Sequence, residues 1–240
     1  MGWLNTAFPW IGLMGAIELF VLLFLTDVLR SNLETSRWCD LTWLSWAGAT
    51  AYLLHNVEEY GIDVFGQTYA FPISVCALFG FQASSNCPAP PEFFTLVNVP
   101  MFWVAGPVAA LLSRRHPLVG LTIYSVISVN FAAHVVTGIV TGTIYNPGWL
   151  TAVLLFLPLT VWTAHTLFGR GKLSYRALVY LLGWGVILHA ILASSLVPVM
   201  EGLENPIFAM IIQVINAALL IVAPLLAERW QGGSLLRRGS

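Results

Sequence analysis

Apolar residues dominate this chain in long blocks, and the polar positions that interrupt them are few enough to place one by one. Runs of about twenty apolar residues are what an α-helix needs to cross a bilayer core about 30 Å thick. Seven such runs can be drawn, at about 8–29, 41–60, 93–113, 118–141, 148–168, 175–198 and 206–227. The pattern therefore predicts an all-α fold, a seven-transmembrane helix bundle occupying residues 1–240 as a single integral membrane domain. The connections are short except for 61–92, whose middle, FPISVCALFGF, is apolar but too short to cross and is expected to lie at the interface.

Composition agrees with this reading. Of 240 residues, 58% are hydrophobic and 9% charged, where a soluble domain carries about 25%. The mean hydropathy is +0.81. The net charge of −1 and scattered basic residues supply no basic patch, so no nucleic-acid partner is expected. The N-terminal stretch lacks the positive region of a secretory signal, and Glu18 interrupts its apolar run.

The ten basic residues set the expected orientation. Arg30 and Arg37 follow the first run, and Arg114 and Arg115 the third. Arg170, Lys172 and Arg176 follow the fifth, and Arg229, Arg237 and Arg238 the seventh. Connections 61–92, 142–147 and 199–205 have none. Basic residues collect in cytoplasmic loops, which puts the N-terminus outside and the C-terminus in the cytoplasm, as in a bacterial inner membrane. Trp10, Trp38, Trp43, Trp149 and Trp230 fall near run ends, where an aromatic belt belongs. Cys76 and Cys87 share the long outer connection and are candidates for a disulfide, whereas Cys39 lies on the reducing side.

The segment AYLLHNVEEY then stands out, because polar groups inside a membrane are costly and functional by default. Tyr52, His55, Asn56 and Glu59 recur at i, i+3, i+4 and i+7, one helix stripe, with Glu58 beside His55. Asn130, His134, Thr137 and Thr141 form a second stripe. At 1.5 Å of rise per residue, His55 and His134 fall about 21 and 24 Å from the cytoplasmic ends of their helices. Glu18, His189, Gln213 and Asn216 fall in the same broad layer. Five helices turning polar groups inward at one height describe a cavity opening outward, with Tyr52, Asn56, Glu18, His189, Gln213 and Asn216 as its substrate-binding wall. His116 and His165 lie near the other face and read as bystanders.

His55-Asn-Val-Glu58-Glu59, with Asn130-Phe-Ala-Ala-His134 in a later span, resembles the HXXEE-domain family of polytopic membrane proteins. The resemblance covers about half the chain. It implies an enzymatic site made from His55, Glu58, Glu59, Asn130 and His134, and it supplies no substrate.

Two chemistries suit these residue types. Zinc takes imidazole nitrogen and carboxylate oxygen, so His55, Glu59 and His134 form a candidate set for one divalent metal, with Glu58 as general base and Asn130 orienting a ligand or the substrate. Zinc is favoured over iron, because a di-iron site needs more ligands than these helices offer. Alternatively, two adjacent carboxylates in low dielectric hold one proton between them, giving metal-free acid–base catalysis with His134 as relay. Either way the expectation is a membrane hydrolase or isomerase/cyclase acting on a lipid-like or isoprenoid small molecule reached within the lipid bilayer. The competing reading is a proton-coupled transporter of a small molecule, against which stands the lack of repeat symmetry or a broken-helix pair. A retinal protein is excluded, since the only lysine, Lys172, is in a cytoplasmic connection.

Overall fold

The computed structural model describes residues 2–82, 86–169 and 172–235, so Arg170, Arg237 and Arg238 of the charge argument lie outside the described residues. The described residues are helical with no strand; only two isolated bridges occur, Ile62 with Thr68 and Phe168 with Leu173. Six helices are long and apolar enough to cross a membrane: α1 (Trp3–Leu25), α4 (Pro91–Leu112), α5 (Pro117–Thr141), α6 (Trp149–Leu167), α7 (Tyr175–Met200) and α8 (Pro206–Leu235). They mark an integral membrane protein. Their outward faces keep large apolar side chains such as Met14, Val140, Val179 and Ile211 exposed, which in lipid carries no penalty.

The run expected at 41–60 forms α2 (Leu41–Asn56), which is 16 residues of α-helix continued by a π-helical turn at Val57–Gly61. The α-helical part alone is shorter than the other six. Its role is central: every residue of α2 except Leu41 and Leu54 is buried. Asp40 starts it. One carboxylate oxygen of Asp40 accepts from the Trp43 amide at 2.9 Å, and the other accepts from the Ser31 and Asn32 amides at 2.8 Å. That satisfies donors which the first helical turn would otherwise leave open. Trp43 then packs fully buried against Phe24 and Trp38, its indole N–H donating to the Leu23 carbonyl at 2.9 Å.

A small residue lets α7 close on α5. Gly185 of α7 faces the Ser125 carbonyl of α5 so closely that a Cβ has no room. The main core runs through Leu44, Phe102, Leu121, Ile123 and Phe156. A second cluster, with Phe8, Tyr60, Phe93, Phe94 and Met200, fills the end where the long connection lies. That connection contains α3 (Ala70–Leu78), whose Pro72, Val75 and Cys76 turn inward while Ile73 and Leu78 stay exposed. Cys76 and Cys87 are joined by a disulfide, and Cys39 is free and exposed.

Candidate functional site

Among the described residues three helices depart from α geometry, and all three departures surround one spot. The π-helical segments are Val57–Gly61, Val99–Ala105 and Ala152–Phe156. Pro107 and Pro158 follow closely on the last two. A proline has no N–H for the i−4 carbonyl and collides with it, and widening the preceding turn relieves the collision. Phe102 and Phe156, from these widened turns, flank Tyr52 with ring centroids at 3.3 and 5.3 Å, and Phe156 also lies 4.6 Å from the His55 ring.

Against this aromatic wall stand His55, Glu59 and His134, all buried. The His55 Nε2 atom lies 3.3 Å from Glu59 Oε1, and His134 Nε2 lies 3.5 Å from the same oxygen. These three residues are the one such group among the described residues whose ligand atoms fall together, all within 4.8 Å of one another.

The far side of each imidazole decides its tautomer. Asn146 Nδ2 donates to the His134 carbonyl at 3.0 Å, which fixes the amide so that Asn146 Oδ1 accepts from His134 Nδ1 at 2.6 Å. The Thr151 hydroxyl donates to Glu58 Oε2 at 2.6 Å, so it accepts from His55 Nδ1 at 2.8 Å. In their neutral form both rings thus carry their proton on Nδ1 and turn an Nε2 lone pair toward a carboxylate oxygen. Neither His55 Nε2 nor Glu59 Oε1 has a hydrogen-bond partner, though both are buried. Lone pairs facing each other at this range repel unless a cation lies between them. The two nitrogen–oxygen separations agree with that: ligands bound at about 2.0–2.1 Å to a tetrahedral ion stand about 3.3 Å apart, whereas an N–H···O bond is about 2.7–3.2 Å.

Glu58 has a different place from the base expected for it. Its carboxylate accepts from the Leu150 and Thr151 amides at 3.0 and 2.7 Å, besides the Thr151 hydroxyl. Glu58 caps the N-terminus of α6, where the helix dipole favours negative charge. Its oxygens are occupied, and it does not line the cavity beside the site.

That cavity has a volume of about 670 Å³. Glu59 and His134 form part of its wall together with Tyr52 and Asn130, and His189, Gln213 and Asn216 supply polar groups from α7 and α8. Thr137 and Thr141 line it as well. Tyr145, on the loop before α6, also lines the cavity; its hydroxyl accepts from the Val64 amide at 3.4 Å, and burial pushes its pKa above the ordinary value, so it remains a neutral phenol. Two expected wall residues are corrected. Glu18 is exposed on the outer face of α1 and does not line the cavity, because α1 is apolar all round and its periodicity carries no inward direction. Asn56 is buried, but its side chain lies off the cavity with both amide atoms unpartnered.

Sequence reasoning missed Asn146, Gly148 and Thr151. Gly148 has φ +93°, and a Cβ there would come within 2.7 Å of both His55 and His134 ring carbons and 2.9 Å of Glu59. Its bare backbone therefore closes under all three ligands at once. The one sequence signal is the Asn146-Pro147-Gly148 turn, which straddles the connection 142–147 and the start of the run at 148.

Residues 46–163, about half of the chain, match the family described as a protein of unknown function with HXXEE motif. No curated protein and no solved structure matches the chain.

Proposed function

The chain is an HXXEE-domain protein whose motif supplies two of three converging ligands, and on that premise we propose that it is an integral membrane enzyme holding one divalent metal ion on His55, Glu59 and His134. The observation that carries this is the pair of imidazoles held in the Nδ1–H form, by Thr151 and Asn146, with their bare nitrogens aimed at one unpartnered carboxylate oxygen. Two imidazoles and one carboxylate are a zinc-type set with one position left for water or substrate. Zinc is favoured over a di-iron pair, since Glu18 is too far out to help and His189 directs its Nδ1 to the Gly185 carbonyl at 2.8 Å. The ion supplies Lewis acidity; the protein supplies the dry aromatic wall and the adjoining cavity.

The substrate is lipid-soluble or amphipathic, because the cavity wall includes residues such as Ala133, Ala193 and Leu78 that are also on the apolar exterior. Hydrolysis, isomerisation and cyclisation all fit this arrangement. Seven spans with the N-terminus outside, in a bacterial inner membrane, fit best, counting α2 with its π turn as the seventh. Two features support that orientation: the connection holding the Cys76–Cys87 disulfide has no basic residue, and disulfides persist outside the cytoplasm.

Elemental analysis of the purified protein tests the site. One ion per chain is expected in the parent and none in His55→Ala, Glu59→Gln or His134→Ala. A folded parent without stoichiometric metal would leave metal-free acid–base chemistry in its place. Substrate-dependent proton flux in reconstituted vesicles, without chemical conversion, would replace catalysis by transport.

A further inference from the structure

The α7–α8 side of the cavity is hydrogen-bonded in one direction. The Ser195 hydroxyl donates to the Leu192 carbonyl at 2.9 Å and accepts from Gln213 Nε2 at 2.6 Å. Gln213 Oε1 accepts from Asn216 Nδ2 at 3.2 Å, and Asn216 Nδ2 also donates to the Leu188 carbonyl at 3.1 Å. Backbone carbonyls can only accept, so the two at the ends of this chain fix every amide within it. Asn216 has spent both protons, and its buried Oδ1 has no partner.

Two neighbours repeat the pattern. His189 gives its Nδ1 proton to Gly185, which leaves Nε2 an acceptor. Asn130 donates to the Tyr52 hydroxyl at 3.3 Å, and its Oδ1 is buried without a partner. All three residues line the cavity, and no lysine or arginine among the described residues does. Residues of the cavity wall thus carry unpartnered acceptors on two sides. A buried acceptor left open costs about 1–3 kcal/mol, which a donor on the ligand recovers.

We propose that the cavity binds an uncharged, largely apolar molecule bearing a hydroxyl group, which donates to Asn216 Oδ1 or Asn130 Oδ1. The volume of about 670 Å³ is in the usual range for small-molecule sites. The inference rests on the functional reading above for the place of the substrate, but binding can be measured without turnover. Radiolabelled dodecanol and dodecyl methyl ether share one tail and one oxygen and differ in the O–H donor. With protein in nanodiscs, dodecanol is expected to bind saturably, and the ether at least about tenfold more weakly. Asn216→Leu and Asn130→Ala are each expected to weaken dodecanol about tenfold while keeping the metal content of the parent, which reports on folding. The ether binding as tightly as the alcohol would overturn the proposal, as would unchanged alcohol affinity in both variants. Dodecanol binding that survives in a protein lacking metal would sink the metal reading and leave this one standing.

Discussion

Two histidine–glutamate clusters lie about 27 Å apart along α5, one at each end, by the 1.5 Å rise of a helix. They use the same device. Glu228 accepts from the Leu118 amide at 2.6 Å at the start of α5, and Glu58 accepts from the Leu150 and Thr151 amides at the start of α6. At the first end His116 Nδ1 lies 2.8 Å from Glu228, and the two groups satisfy each other. At the other end a second carboxylate and a second imidazole are added, and the hydroxyl and amide partners consume the wrong sides of both rings for any internal pairing. Nearness of imidazole to carboxylate is thus common to a structural cap and a candidate reactive centre. What separates them is whether lone pairs remain after every proton has been assigned.

Substitutions can erase that separation. The largest effect is expected from Gly148→Ala: a methyl there displaces both imidazoles and Glu59 and adds strain at φ +93°. It should abolish metal occupancy as completely as removing a ligand, measured by elemental analysis. Thr151→Val comes next. It keeps all three ligands but removes the hydroxyl that holds the His55 proton on Nδ1, so metal affinity should fall about 10–100-fold in a chelator competition. Glu228→Gln, at the other cluster, should leave metal affinity unchanged and lower thermal stability by about 1–3 kcal/mol, because the Leu118 cap weakens. His116→Ala should be smallest, within about 1 kcal/mol and again without effect on metal, since its side chain is 35% exposed. If Glu228→Gln depleted metal as Gly148→Ala does, the two clusters would not be separable in this way.

The part of the site legible in the sequence is the part carried by single helices. His55 and Glu59 are i and i+4, so any helix through them makes them neighbours. The stripe Asn130, His134, Thr137, Thr141 likewise shares one face, and all four line the cavity. Glu58 looked equivalent to Glu59 because adjacent residues in a motif carry no mark of which way each turns. Its partners, Leu150 and Thr151, are more than ninety residues away. Glu18 misled for another reason: in a helix that is apolar on every side, one polar residue gives no hint of facing.

Hydrophobic run lengths and motif spacing determined the helical class, the six long helices and the His55–Glu59 pair, because these depend on local geometry and on what lipid tolerates. Tertiary structure decided the rest. It brought Asn146, Gly148 and Thr151 against the histidines, assigned the proton on each ring, and sent Glu58 to a helix end. Each of those outcomes is set by a hydrogen bond or a steric contact with a partner on another helix or on the loop before α6, and no periodicity within one segment encodes it.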